Sequence, residues 1–203
     1  EASQRQEASE YIWADARTHD LLESLGTHCG ELDSQQLRTI LVAFAQAQHM
    51  PSELWQDLAE EVPRALVELP DLHAAHIALL MATLELRWPH ALLQDVVQQL
   101  ELRAQKFDRT GLTAALVALS QLGPWPDPPG RVLANELLAH MGHLRLNELS
   151  ASALAVATLG IADLGFWQMA HGHLNSRLLD MEPRHLADCL LALATTQNRP
   201  ITL

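Results

Sequence analysis

One outline recurs along this chain, and that recurrence narrows its folds more than any other feature does. A polar residue stands ahead of an apolar run at Asp33, Asp71, Asp108, Asn147 and Glu182, at spacings of 38, 37, 39 and 35 residues. Eighteen residues after each mark stands a residue that starts a helix or turns the chain: Pro51, Pro89, Pro126, Gly165 and Pro200. Two marks hold one register, so the chain reads as a repeat array. Units start near residues 32, 70, 107, 146 and 181, the last one incomplete, and residues 1–31 form a partial repeat and loop before them.

Each unit reads as two antiparallel helices. The marking residue can accept a bond from the open amides of a first helical turn. Eight positions on stand Leu41, Leu79, Leu116, Ala155 and Leu190, and the next two positions are equally apolar, giving a wide stripe. Proline then suits the start of a second helix, where a missing amide costs nothing. Leu54, Leu58, Val62 and Leu66 make the stripe of one such helix, and Leu92, Val96 and Leu100 that of the next. The third unit has a longer turn at residues 123–130, which delays its second helix to residues 131–143; Gly172 is expected to interrupt that of the fourth. Only nine residues are aromatic, so Leu and Ala supply the core and favour helix over strand. The expected fold is an all-α solenoid of about five helix pairs, roughly 37 residues each.

Charge and cysteine usage bound the function. The net charge of -12 comes entirely from the first 101 residues, since the remainder balances. An acidic chain is a poor general binder of phosphate backbones and suits basic proteins better. The longest low-polarity run, residues 151–162, is well short of the roughly 20 residues a membrane span needs. Cys29 and Cys189 lie far apart with no zinc spacing around them, and read as reduced thiols.

Helix pairs of this length resemble octotricopeptide and heptatricopeptide repeats, the latter found in front of RAP domains and in FAST-kinase-like proteins. The resemblance is carried by first helices such as Leu116-Val117-Ala118-Leu119-Ser120-Gln121-Leu122-Gly123 and by the proline before a Leu- and Trp-containing second helix, and covers roughly residues 32–203. It implies an organellar protein, of the mitochondrial matrix or a plastid, acting on RNA or within an organellar ribosome.

Positions two and five past each mark are expected on one open helix face: Gln35 and Arg38, His73 and His76, Thr110 and Thr113, Leu149 and Ser152, Arg184 and Ala187. One or two hydrogen-bonding residues per unit would suit a reader of single-stranded bases; an ordinary solvated face has the same composition. Arg103, Lys106 and Arg109 form the best local phosphate site, with Arg131 and Arg145 as additions, though cations near helix ends also answer the dipole. Trp125, in its proline-rich loop, is the tryptophan expected to meet a protein partner, while Trp55, Trp88 and Trp167 read as packing wedges. The pairs His73/His76, His140/His143 and His171/His173 lack the further ligands zinc requires and read as ordinary histidines. No phosphate-binding glycine loop, GxSxG or HExxH is present, so no cofactor, small-molecule substrate or enzyme activity is expected. The expectation is a non-enzymatic subunit of an organellar ribonucleoprotein, foremost a mitochondrial ribosome, touching rRNA and neighbouring basic proteins; the alternative is a protein-only scaffold.

Overall fold

The computed structural model describes residues 15–84 and 88–197, without the side chains of Ser52, Glu53 and Gln197. Among the described residues there are ten α-helices and no strand: α1 Ala16–Thr27, α2 Ser34–Ala47, α3 Ser52–Glu68, α4 Asp71–Thr83, α5 His90–Leu102, α6 Arg109–Leu122, α7 Arg131–His140, α8 Leu146–Leu159, α9 Leu164–Ser176 and α10 Pro183–Gln197. The chain is all-α. The residues ahead of Asp15, and Pro200, which was to open one more helix, lie outside the described residues.

The helices form two layers. First helices α2, α4, α6, α8 and α10 pack one on the next, second helices α1, α3, α5, α7 and α9 do the same, and α2 to α9 also pair across the layers as α2/α3, α4/α5, α6/α7 and α8/α9. A first helix inside such a stack has neighbours on three sides, which explains why α4 buries Ala74, Ala75, Ile77, Ala78, Leu80, Met81 and Ala82 and shows almost no polar face. Small residues let the helices approach closely, and one core cluster runs from Cys29 to Ala170.

Caps set the register, and two of them differ from expectation. Asp33 accepts from the Gln36 amide at 2.7 Å while the Gln36 side chain takes the Asp33 amide, a full capping box, and Asp108 accepts from the Gly111 amide at 2.8 Å. Asp71, however, is already inside α4, capped by extended Pro70, and Asn147 is the second residue of α8, capped by Arg145. The Arg145 amide donates to the Glu148 carboxylate at 2.8 Å instead. The residues preceding the first helices are therefore Asp33, Pro70, Asp108, Arg145 and Glu182. This register is more even than the one read from polar marks. Two further expectations change: Gly172 lies within an unbroken α9, and Pro51 and Pro89 sit one residue ahead of their helices. The expected late start of the third unit's second helix at Arg131 is observed, with α7 passing into a short tight turn at Met141–His143.

Two side-chain devices close the helix pairs. Near the end of a second helix, an arginine reaches carbonyls just before the first helix of the same pair: Arg64 to Leu32 at 2.5 Å, Arg103 to Leu69 at 2.8 Å and Val67 at 2.7 Å, Arg177 to Leu144 at 2.6 Å and Gly142 at 3.2 Å. Between the helices of a pair, an indole N–H answers a carbonyl at the end of the first helix: Trp88 to Met81 at 3.0 Å, Trp125 to Leu119 at 2.7 Å and Trp167 to Ile161 at 3.4 Å. Both devices satisfy carbonyls that a helix end or turn leaves open.

Candidate nucleic-acid interface

The shifted register redistributes the residues expected on one open face. Arg38 lies five positions past its cap, on the side of α2 turned to α4, whereas His76 lies six past its cap on the side of α4 turned back to α2. They meet: the Arg38 guanidinium donates to His76 Nδ1 at 3.2 Å. Thr113 and Ser152 meet in the same way between α6 and α8, at 3.2 Å, and Ser150 donates to Asp188 at 3.3 Å between α8 and α10. A polar ladder thus runs between first helices. Thr113 and Ser152 are buried, so the expectation that they stand on an open surface is corrected, as is that for the fully buried Leu149.

The basic cluster at the second junction is also rearranged. Arg103 is occupied by the Leu69 and Val67 carbonyls and lies 3.4 Å from Asp71, with its side chain only 12% exposed. Arg109 donates to the His143 carbonyl at 2.8 Å and pairs with Glu148 at 3.5 Å. Both guanidinium groups are thus engaged within the protein, Arg103 nearly buried and Arg109 partly exposed. Thr110 is exposed and donates to the same Glu148 at 3.2 Å. Lys106, Arg145 and Arg184 are exposed along the edge where first helices start, Arg184 with Glu182 at 3.1 Å. Arg131 opens a second helix and is exposed at the opposite edge, apart from them. Trp125 is half-buried against the core with its indole N–H taken by Leu119, so its expected exposure is corrected too.

What remains as a site is the group Arg38, His73 and His76 between α2 and α4. Arg38 Nε and His73 Nδ1 are buried with no hydrogen-bond partner, an uncommon state for polar atoms, because each such atom loses water without replacement. Burial, then the Arg38 guanidinium, then His73 hold His76 below the usual imidazole range. Its neutral form can accept from Arg38 through Nδ1; the charged form could not.

This fixes the sign of a pH effect. The unfolded chain takes up the His76 proton near the ordinary value of about 6.5, the folded chain only at lower pH. The stabilisation is complete above the unfolded value and is lost as pH falls through the folded one. Urea titrations at pH 7.5, 6.0 and 5.0 are expected to show stability declining on acidification, with a smaller decline in His76→Asn. An identical decline in the variant would remove His76 from the account.

The layers differ in charge. Second helices α1, α3 and α5 carry eight described carboxylates, Asp20, Glu23, Asp57, Glu60, Glu61, Glu68, Asp95 and Glu101, against Arg17 and Arg64. First helices α2, α4 and α6 carry Asp71 against Arg38 and Arg109. Among the described helices of the first half the carboxylates therefore lie mainly on one layer, and the Arg38 group on the other. No helix of the described residues is long and apolar enough to cross a membrane. Among the described residues, no group of three or more His, Cys, Asp or Glu side chains is placed to hold a metal ion. Cys29 and Cys189 are free thiols whose pKa burial raises, Glu61 and Asp57 adding to the effect at Cys29 and Asp188 at Cys189, which makes both poor nucleophiles.

The arginine and indole closures were missed in the sequence. The signal of the arginine closure is an Arg about 32 residues after three of the first-helix caps, at Arg64, Arg103 and Arg177, visible only once the caps are known. Compared with protein-family models and with curated proteins, the chain matches none.

Proposed function

We propose that this chain is a non-enzymatic helical subunit of an organellar ribonucleoprotein, with the mitochondrial ribosome the assembly its repeat resemblance points to. The observation that carries the RNA part is the Arg38, His73 and His76 group, which holds a buried donor, Arg38 Nε, and a buried ring nitrogen, His73 Nδ1, both without partners, on the layer poor in carboxylates. Phosphate oxygens are acceptors of the kind Arg38 Nε lacks, and base edges offer donors and acceptors that suit either tautomer of His73. Lys106, Arg145 and Arg184 extend the cationic edge of that layer, and Thr110 adds a hydroxyl. The acidic second-helix layer suits basic proteins of the same complex.

Titration of the full chain with a labelled single-stranded RNA at rising salt tests this. Binding is expected at low salt, with Arg38→Gln/His76→Asn about tenfold weaker and a shallower salt slope. Folding of the variant is checked by its circular dichroism and melting. Binding unchanged in a folded variant would contradict the site, and no binding at any salt would contradict RNA contact.

A protein-only scaffold is the second reading. The engagement of Arg103 and Arg109 inside the protein favours it, because the strongest phosphate site in the sequence is thereby used structurally.

A further inference from the structure

Of the half-buried arginines among the described residues, Arg103, Arg109 and Arg177 each donate to carbonyl oxygens. Arg38 differs. Its Nη2 donates to His76 Nδ1 at 3.2 Å, the long end of the ordinary range, and its Nε has no partner. Carboxylates at the neighbouring helix ends are engaged elsewhere: Asp33 by the Gln36 amide, Glu68 by the Ser34 hydroxyl and Asp71 by Arg103. His73 lacks a partner for a local reason. At the third position of their helices, Gln36, Glu148 and His185 each accept from the amide of the residue ahead of the helix, at 2.9, 2.8 and 3.2 Å. His73 holds that position in α4, where the preceding residue is Pro70 and has no amide to give. The charges acting on His76 are Arg38 from α2 and His73 from α4 itself, with no carboxylate among them. Charged residues of the other helices packed on α4 turn elsewhere: Arg64 of α3 to Glu61, Glu101 of α5 to the Gly130 amide, and Arg109 of α6 to Glu148.

We propose that this group is a proton-linked phosphodiester site: an RNA phosphate takes the Nε and Nη2 edge of Arg38, while His76 leaves Arg38, takes one proton from solvent and donates to the same phosphate through Nδ1. The inference rests on the RNA reading above and deepens it, naming the backbone rather than the bases as what this site holds. Two adjacent N–H groups of a guanidinium match two oxygens of a phosphate, and a neutral ring nitrogen at 3.2 Å is a weak competitor for one of them. All three side chains are half-buried, so a ligand reaches them from solvent. A phosphate brings the negative charge that the surroundings of His76 lack, and so favours the imidazolium that the free protein disfavours. Binding then tightens as pH falls between the pKa of His76 in the complex and its lower value in the free protein, by up to about tenfold for each unit that separates them. Acid thus weakens the free fold and strengthens the complex.

The test titrates the full chain, His76→Asn and His90→Asn with a labelled single-stranded RNA and with an abasic ribose-phosphate oligomer of equal length, at one salt concentration and at pH 7.5, 6.5 and 5.5. His90 is exposed in α5, on the other layer, and reports the general effect of charging a histidine. With both probes, the wild-type chain and His90→Asn are expected to bind about tenfold tighter at pH 5.5 than at pH 7.5, and His76→Asn about twofold or less. Calorimetry of the wild-type chain at pH 6.5, in two buffers of different ionisation heat, is expected to show proton uptake on binding, a result that needs no variant to fold. RNA binding with no proton uptake, or with the same pH gain in His76→Asn, would overturn the proton link and leave RNA contact standing. Binding of RNA but not of the abasic oligomer would overturn the phosphate assignment and likewise leave RNA contact. Binding of neither probe at any pH would overturn both readings together.

Discussion

Leu116→Ala and Leu190→Ala are expected to differ by several kcal/mol, although both residues stand eight positions past the residue that precedes a first helix. Leu116 is fully buried in α6 between α4, α8 and α7, so its truncation leaves a cavity and should cost about 2–5 kcal/mol. Leu190 is 67% exposed, and its truncation should fall within about 0.5 kcal/mol of zero. Denaturant titration of the two variants decides it. Equal losses would mean that α10 is covered within the chain, or that the stacking of α6 is not as described.

Arg103→Met should cost about 2 kcal/mol, because a hydrogen bond from a charged donor contributes about 1.5–3 kcal/mol and the part-buried Leu69 carbonyl loses its donor, while the exposed Val67 carbonyl can turn to water. Methionine keeps the apolar stem, so the loss reports the guanidinium. RNA affinity of the folded variant should not change. A variant of undiminished stability with weakened RNA binding would return Arg103 to the phosphate role that its position suggested in the sequence.

The all-α class was legible because Leu and Ala dominate the core and because two marks recur together. Caps were legible where a carboxylate made them, at Asp33 and Asp108. They were misplaced by one residue at Asp71 and by two at Asn147, because a helix start accepts any extended residue whose neighbours satisfy its amides. Pro70 has no amide to satisfy, and Glu148 answers the amide of Arg145. That small slip turned each affected position by about 100° per residue around the helix axis. It assigned His76 and Ser152 to an open face, when they look towards the preceding helix.

Of the site, Arg38, His73 and His76 were readable as residue types at helical spacing, but not their meeting across two helices. Arg103 and Arg109 illustrate the opposite failure. A cluster of cations in sequence carries no information about which carbonyls and carboxylates surround it once chain segments more than thirty residues apart are packed.

The most direct test of the functional claim is ultraviolet crosslinking in native extract, followed by isolation of this protein with RNA and protein partners both read out. The account predicts RNA-linked peptides from α2 and α4, around Arg38, His73 and His76, together with protein crosslinks from the acidic second helices. Protein crosslinks alone, unchanged by nuclease, would contradict RNA contact and leave the scaffold.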